Sequence, residues 1–251
     1  MTYCVALRLN EGLVFASDSR TNAGVDHVAT FRKMHRFAQA GERQIVLLNS
    51  GNLATTQSVI SMLRSRCQHD APHLLNVPSL YDAAVQVGQI LREVIARDSV
   101  GGSGVDYGAH FLVGGQIAGE RARLFHVYPQ GNFIEATEDT PYFQIGESKY
   151  GKPILDRVLD TATPLEDAVK CVLISFDSTI RSNLSVGLPI DLFTLHEGDL
   201  HPAAPRRIDE RDVYFQSLRR AWGQGLRRVF ARLPPAPTSG IGTERDEKMG
   251  H

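Results

Sequence analysis

Cysteine is scarce in this chain of 251 residues: Cys4, Cys67 and Cys171 are too few and too scattered for a disulfide framework. That scarcity favours a reducing compartment, and burial as small apolar side chains accounts for all three. Net charge is missing as well, since 27 Lys and Arg stand against 28 Asp and Glu. A balance so close to zero gives no electrostatic basis for a nucleic-acid or membrane partner. No apolar run approaches the roughly 18 residues that span a bilayer. The opening MTYCVALRLNEG has neither a basic n-region nor an uninterrupted apolar h-region, so no signal peptide is expected. The expected location is the cytoplasm.

What is present is ordinary globular material, 42% hydrophobic and 22% charged, long enough for one large domain. Tyr3 to Leu9 and Leu13 to Ser17 flank the turn residues Asn10-Glu11-Gly12 and read as a β-hairpin. A second hairpin is expected from Lys33 to Ala38 and Gln44 to Asn49. There, the consecutive Ile45, Val46, Leu47 and Leu48 fit a strand covered on both faces. Helical spacing follows over Leu53 to Arg66. A second helix, behind Ser79 as its N-cap, is marked by Leu80, Ala84, Val87, Leu91 and Val94. SVGGSG (99–104) is a loop. Strands are expected over 109–114, 123–128 and 133–137, helices over 149–159 and 165–181, and a strand over 190–195. Strands, two helices, strands, two helices, strand is an order that suits an α+β, four-layer α-β-β-α sandwich. A basic amphipathic helix over 212–232 follows. Residues 1–235 read as one domain and 236–251, rich in Pro, Gly and charge, as a disordered tail.

Thr2 follows the initiator methionine, and a small residue there favours removal of Met1. The hydroxyl and a free α-amine would then belong to one residue, and an amine of pKa about 7.7–8.0 can accept the hydroxyl proton near neutral pH. A penultimate threonine is common, so Thr2 alone carries little. The hairpin, however, brings Asp18 of FASDSR close to Thr2, and Lys33 of FRKMH opens the next strand. A lysine held by a buried aspartate stays charged and favours a nearby alkoxide. The bland alternative is a surface ion pair contributing about 0–1 kcal/mol.

The runs MTYCVA, GLVFASDSRTNAG, FRKMH and LLNSGNLA resemble the N-terminal third of proteasome β-subunits and of the bacterial protease HslV. They are most similar to the related bacterial Anbu (ancestral β-subunit) family of N-terminal-nucleophile hydrolases. This resemblance implies a threonine peptidase with Thr2 as nucleophile, Lys33 tuning it and Asp18 anchoring Lys33. It implies that the backbone of Gly51 serves the oxyanion hole and that Asn22 lies where the backbone pairs with an extended peptide. Asn49 and Leu53 then wall the pocket for the side chain before the cleaved bond, and Leu53 points to an apolar preference. No cofactor or metal is implied. Self-assembly into a ring or ring-like helical array is, with ATP-grasp-type and transglutaminase-like operon partners.

The second half departs from that pattern. Gly146-Glu147-Ser148 stands where Gly-Ser-Gly is usual, with Ser148 a candidate for the missing hydroxyl. Ser182-Asn183-Leu184-Ser185-Val186 stands for Asp-x-x-Ser-Gly; Ser185 matches the serine, Ser182 replaces the aspartate, and Asp177 is a nearby alternative. A weakly active scaffold, or an amidase for a small or conjugated amide, therefore stays open. Cys67, His69 and His73 resemble a metal cluster only superficially, because no second cysteine pair completes it. The arginines of the last helix read as a solvated face or a contact between subunits, with the apolar stripe expected on the helix's own domain.

Overall fold

The structure, a computed structural model, describes residues 2–22, 28–100 and 104–236, and only the backbone at 21, 22, 28 and 29. Met1, part of the SVGGSG loop and nearly all of the expected C-terminal tail lie outside the described residues. Strands β1 (Tyr3–Leu9) and β2 (Gly12–Asp18) form the first hairpin, in the register Cys4 opposite Ser17. A short hairpin, β3 (Arg20–Asn22) and β4 (Val28–Thr30), follows it. Next come β5 (Met34–Gln39), β6 (Arg43–Gly51), α1 (Leu53–Arg66) and α2 (Leu80–Asp98). Ser79 caps α2 as its sequence requires, its Oγ accepting from the Asp82 N–H at 3.1 Å.

The second half supplies β7 (Ala109–Ile117), β8 (Arg123–Val127), β9 (Phe133–Glu135) and β10 (Tyr142–Gly146). It continues with α3 (Lys152–Val158), α4 (Leu165–Ser182), β11 (Ile190–His196), β12 (Arg206–Ile208) and α5 (Val213–Phe230). One antiparallel sheet has the order β10-β1-β2-β11-β12 and the other β5-β6-β7-β8-β9.

Period-two alternation sorts the side chains into layers. Along β1, Tyr3, Val5 and Leu7 join a cluster with Leu155, Val172 and Phe176 of α3 and α4. Cys4 and Ala6 point the other way, packing with Phe15, Val46, Leu48, Leu112, Leu124 and Phe193 between the sheets. Ile45, Leu47, Phe111 and Val113 meet α1 and α2 on the far side. Each fully buried Phe or Leu contributes about 1.5–3 kcal/mol relative to exposure, so these three layers hold the sandwich together. The proteasome-type four-layer arrangement is the one expected.

Four short strands were not expected: β3, β4, β10 and β12. The last helix also differs from expectation. Its first half is seated, with Phe215 buried and the Arg219 Nε bonded to the buried Asp177 carboxylate at 2.6 Å. Its second half is not: Leu226, Val229 and Phe230 are 52, 61 and 78% exposed. The expected division holds where Leu218 packs on the domain and Arg220, Arg227 and Arg228 stay exposed, and fails where Arg219 packs inward and the apolar C-terminal end faces outward. Amphipathic spacing identifies an apolar face without saying what covers it.

Candidate active site

Pairing within the first hairpin decides the position of Thr2. With Cys4 opposite Ser17, Tyr3 comes level with Asp18, and the Tyr3 N–H donates to Asp18 Oδ1 at 3.0 Å. The same oxygen accepts from Lys33 Nζ at 2.7 Å, while the Gly187 N–H reaches Oδ2 at 3.4 Å. Lys33 Nζ donates a second bond to the Arg20 carbonyl at 2.6 Å. Asp18 is wholly buried and Lys33 nearly so, so the surface-pair alternative fails for these two residues. Burial pushes the Asp18 carboxyl above its usual range; the Lys33 charge and hydrogen bond, then the two N–H donors, pull it back. Thr2, half-buried, sits immediately before β1 at the end of this network.

The tyrosine beneath it fixes the strand. Tyr3 Oη lies 2.9 Å from Ser175 Oγ and accepts from Gln144 Nε2 at 2.8 Å, with the ring centroid 4.5 Å from that of Phe176. Cys4 is no competing nucleophile, because burial holds its thiol well above the ordinary range.

A second wall comes from β6. The Asn49 N–H donates to the Lys33 carbonyl at 3.1 Å, and its own carbonyl accepts from Cys4 Sγ at 3.6 Å. Gly51 closes β6 with φ +104°, and a Cβ there would stand 2.4 Å from the Gly108 oxygen. That backbone position is one glycine alone takes without strain. Asn52 caps α1 through a 3.1 Å bond from the Thr55 N–H, and Leu53 is the first helical residue, half-buried. Asn22 ends β3, its backbone opposite Val28.

The departures from the family pattern converge on Thr2 from the other side. The Glu147 N–H donates to the Thr2 carbonyl at 2.6 Å. The Glu147 carboxylate accepts from Asn183 Nδ2 at 2.9 Å, and Asn183 Oδ1 accepts from the Ser185 N–H at 2.9 Å. Ser148, half-buried, follows β10, its carbonyl accepting from the Lys152 N–H at the start of α3. Ser182 is the exposed last residue of α4. Asp177 does not fill the aspartate's place: its buried carboxylate is bonded to Arg181 and Arg219 at the α4–α5 contact. Asn183, Gly187 and the Glu147 N–H are the contributors the sequence left unseen. They act through backbone groups and one amide, and no motif advertises them. Among the described residues, no group of three His, Cys, Asp or Glu could hold a metal ion.

A model of the proteasome subunit family matches residues 2–194. A solved structure, Anbu (ancestral β-subunit) from Yersinia bercovieri, superposes with a TM-score of 0.89 at 58% identity, covering 93% of this chain and 99% of that one. The chain belongs to the Anbu family. A second Anbu structure, described as the helical assembly of the Anbu complex from Pseudomonas aeruginosa, gives a TM-score of 0.91 at 56% identity, covering 94 and 98% of the two chains. A third, an Anbu Gly-1 mutant from Hyphomicrobium sp. strain MC1, gives 0.88 at 49%, covering 94 and 99%. Among curated proteins no significant match was found. The Anbu subunits share with this chain the two sheets and flanking helices described above. No helix among the described residues is long and apolar enough to cross a membrane.

Proposed function

We propose that this Anbu subunit is an N-terminal threonine amidohydrolase acting on peptide bonds in the cytoplasm, residues 1–235 forming its one catalytic domain. The observation that carries this reading is the buried Asp18–Lys33 pair, tied through Asp18 Oδ1 to the N–H of the residue after Thr2. Once Met1 is removed, the Thr2 hydroxyl oxygen attacks the substrate carbonyl and its proton passes to the α-amine. The collapsing intermediate takes that proton onto the leaving amine. Water then hydrolyses the threonyl ester, returning the hydroxyl and releasing the acid. Lys33 stabilises the developing alkoxide, and the backbone at Gly51 stabilises the oxyanion. Glu147, Ser148 and Ser185 hold the nucleophile's surroundings; Asn22 and Asn49 with Leu53 flank the peptide. No cofactor enters these steps.

Intact-mass analysis with a peptide epoxyketone tests the reading. A threonine with a free amine forms a six-membered adduct through both its oxygen and its nitrogen. Full-mass labelling is expected of Met1-free chains and none of chains that keep Met1, and equal labelling of both would exclude the mechanism.

Self-assembly belongs to the same proposal. The apolar end of α5 favours it, because Leu226, Val229 and Phe230 are exposed on one helix end. Replacing Val229 and Phe230 by Glu is expected to lower the mass in sedimentation without unfolding the subunit. An unchanged particle would move the interface elsewhere. A scaffold with little activity is the second reading, favoured by Ser182 and Glu147 standing where the family pattern differs. It predicts an assembled particle whose Thr2 resists the electrophile.

A further inference from the structure

Beside Lys33 lies a cavity of about 350 Å³ that opens between the start of β5, the end of β6 and the outer face of α1. Asn49 and Leu53, expected to shape an apolar pocket, do line it, but so do Arg32, His35 and Arg64. No Asp or Glu is among its described lining residues. Lys33 spends its charge on Asp18 at 2.7 Å. Arg32 and Arg64, both exposed, have no carboxylate within ion-pair distance among the described residues. Arg64 Nη2 instead stands 3.5 Å from His35 Nδ1.

That contact requires a neutral imidazole with a free lone pair. Burial first, and the Arg64 charge second, hold His35 down to about 4, so near neutral pH it accepts from the guanidinium and leaves the full positive charge on the arginine. Asn49, buried in the same wall, lies close enough to His35 to oppose that shift, yet its Oδ1 completes no hydrogen bond of normal geometry. Phe31, Leu53 and Ile60 give the cavity an apolar wall, and the two unpaired guanidinium groups with the Asn49 acceptor give it a polar one. A leucine side chain would gain contact on the first wall and strip water from a guanidinium on the second, whereas a carboxylate pairs with that guanidinium.

We propose that this cavity receives an acidic side chain, that of a Glu or Asp immediately before the cleaved bond, with Arg64 as its main specificity-determining residue and Arg32 as its second. The assignment of that side chain to the position before the bond rests on Thr2 being the nucleophile; the charge selectivity of the cavity does not. A carboxylate entering it meets a planar guanidinium able to form two parallel charge-assisted bonds. A side-chain amide N–H on the ligand, or a hydroxyl, supplies a hydrogen for Asn49 Oδ1 as well; a carboxylate does not, so the charge must outweigh that loss. The isosteric pair Glu and Gln therefore reports the contribution of the arginines less that of the bond to Asn49.

The experiment uses the full chain freed of Met1 and acetylated tripeptide amides that differ only in the last residue, Glu, Gln, Leu or Lys, titrated by NMR. Binding of these ligands needs no Thr2 chemistry. The Glu peptide is expected to bind about tenfold more tightly than the Gln peptide, a difference of ~1.4 kcal/mol. Arg64→Glu, an exposed change on α1, is expected to invert the order so that the Lys peptide binds best, and Arg32→Gln to narrow the Glu preference. Equal affinity for Glu and Gln, absence of binding at millimolar concentration, or an order unchanged in Arg64→Glu would overturn the proposal. A Thr2 that resists the epoxyketone while the Glu preference persists would remove the catalytic reading and keep the cavity. A labelled Thr2 with no Glu preference would do the opposite.

Discussion

Lys33→Ala is expected to slow epoxyketone labelling of Thr2 about a thousandfold, the middle of the range for losing a proton-transfer or charge-stabilising group. The protein should stay folded. Among the described residues Lys33 Nζ is the one cation within 3 Å of the Asp18 carboxylate, and it also holds the Arg20 carbonyl at the foot of the β3–β4 hairpin. Removing one member of a buried ion pair ordinarily costs about 3–5 kcal/mol, because the other charge is left uncompensated. Here a way out exists. Burial already pushes the Asp18 carboxyl upward, so without Lys33 it takes up a proton and keeps its bonds from Tyr3 and Gly187.

The direction of the pH effect follows from that uptake. A carboxyl whose folded pKa is raised contributes stability below its unfolded pKa and loses it as pH rises through the folded value. The variant's deficit in unfolding midpoint should therefore be largest near neutral pH and shrink on acidification. Asp18→Asn should leave Lys33 without its anchor and lower labelling by a similar order. An unchanged labelling rate in Lys33→Ala would show that another group activates Thr2. A deficit that grows toward acid would contradict the proton uptake.

The first half of this site was legible because hairpin arithmetic is local. The Asn10-Glu11-Gly12 turn and two arms of equal length put Tyr3 level with Asp18, and an alternating apolar pattern told which side chains face the sheets' interior. Lys33 needed one more strand start. The remainder resisted for physical reasons. β10 is a five-residue edge strand whose residues face α3 and the inter-sheet core in turn, too short for periodicity to show. The contact with Thr2 comes from the backbone N–H of Glu147, just after this strand, and any residue but proline supplies that. The turn after α4 reaches Asp18 through the Gly187 N–H and Glu147 through the Asn183 amide. Those contacts join segments about 36 and 169 residues apart in sequence. Leu53 is one wall of a cavity whose cationic side comes from Arg32, just before β5, and from Arg64, farther along the same helix, and no single motif joins the three.

Gly146→Ala should disturb the site as severely as any change outside the ion pair. Gly146 sits opposite Tyr3 in the β1–β10 ladder with φ +83°, and its missing side chain lets β10 pass against the nucleophile's peptide. A Cβ there would stand 2.0 Å from the Thr2 carbonyl oxygen, 2.7 Å from its carbon and 3.3 Å from Thr2 Cβ. These are mostly backbone atoms, so no rotamer change relieves the overlap. Either β10 draws away from β1 or Thr2 moves, and both break the 2.6 Å bond from the Glu147 N–H. A displacement of the reacting atom by about 1 Å costs on the order of a hundredfold in rate. The lost strand contact and the strained backbone together cost about 2–4 kcal/mol. Gly119→Ala is the control: the same φ of +83°, with nothing within 4 Å of the added Cβ. It should cost about 1 kcal/mol of backbone strain and leave labelling untouched. Thermal unfolding and epoxyketone labelling on both variants separate the two contributions. Wild-type labelling of Gly146→Ala would show that Thr2 is held by the Asp18 side of the site alone.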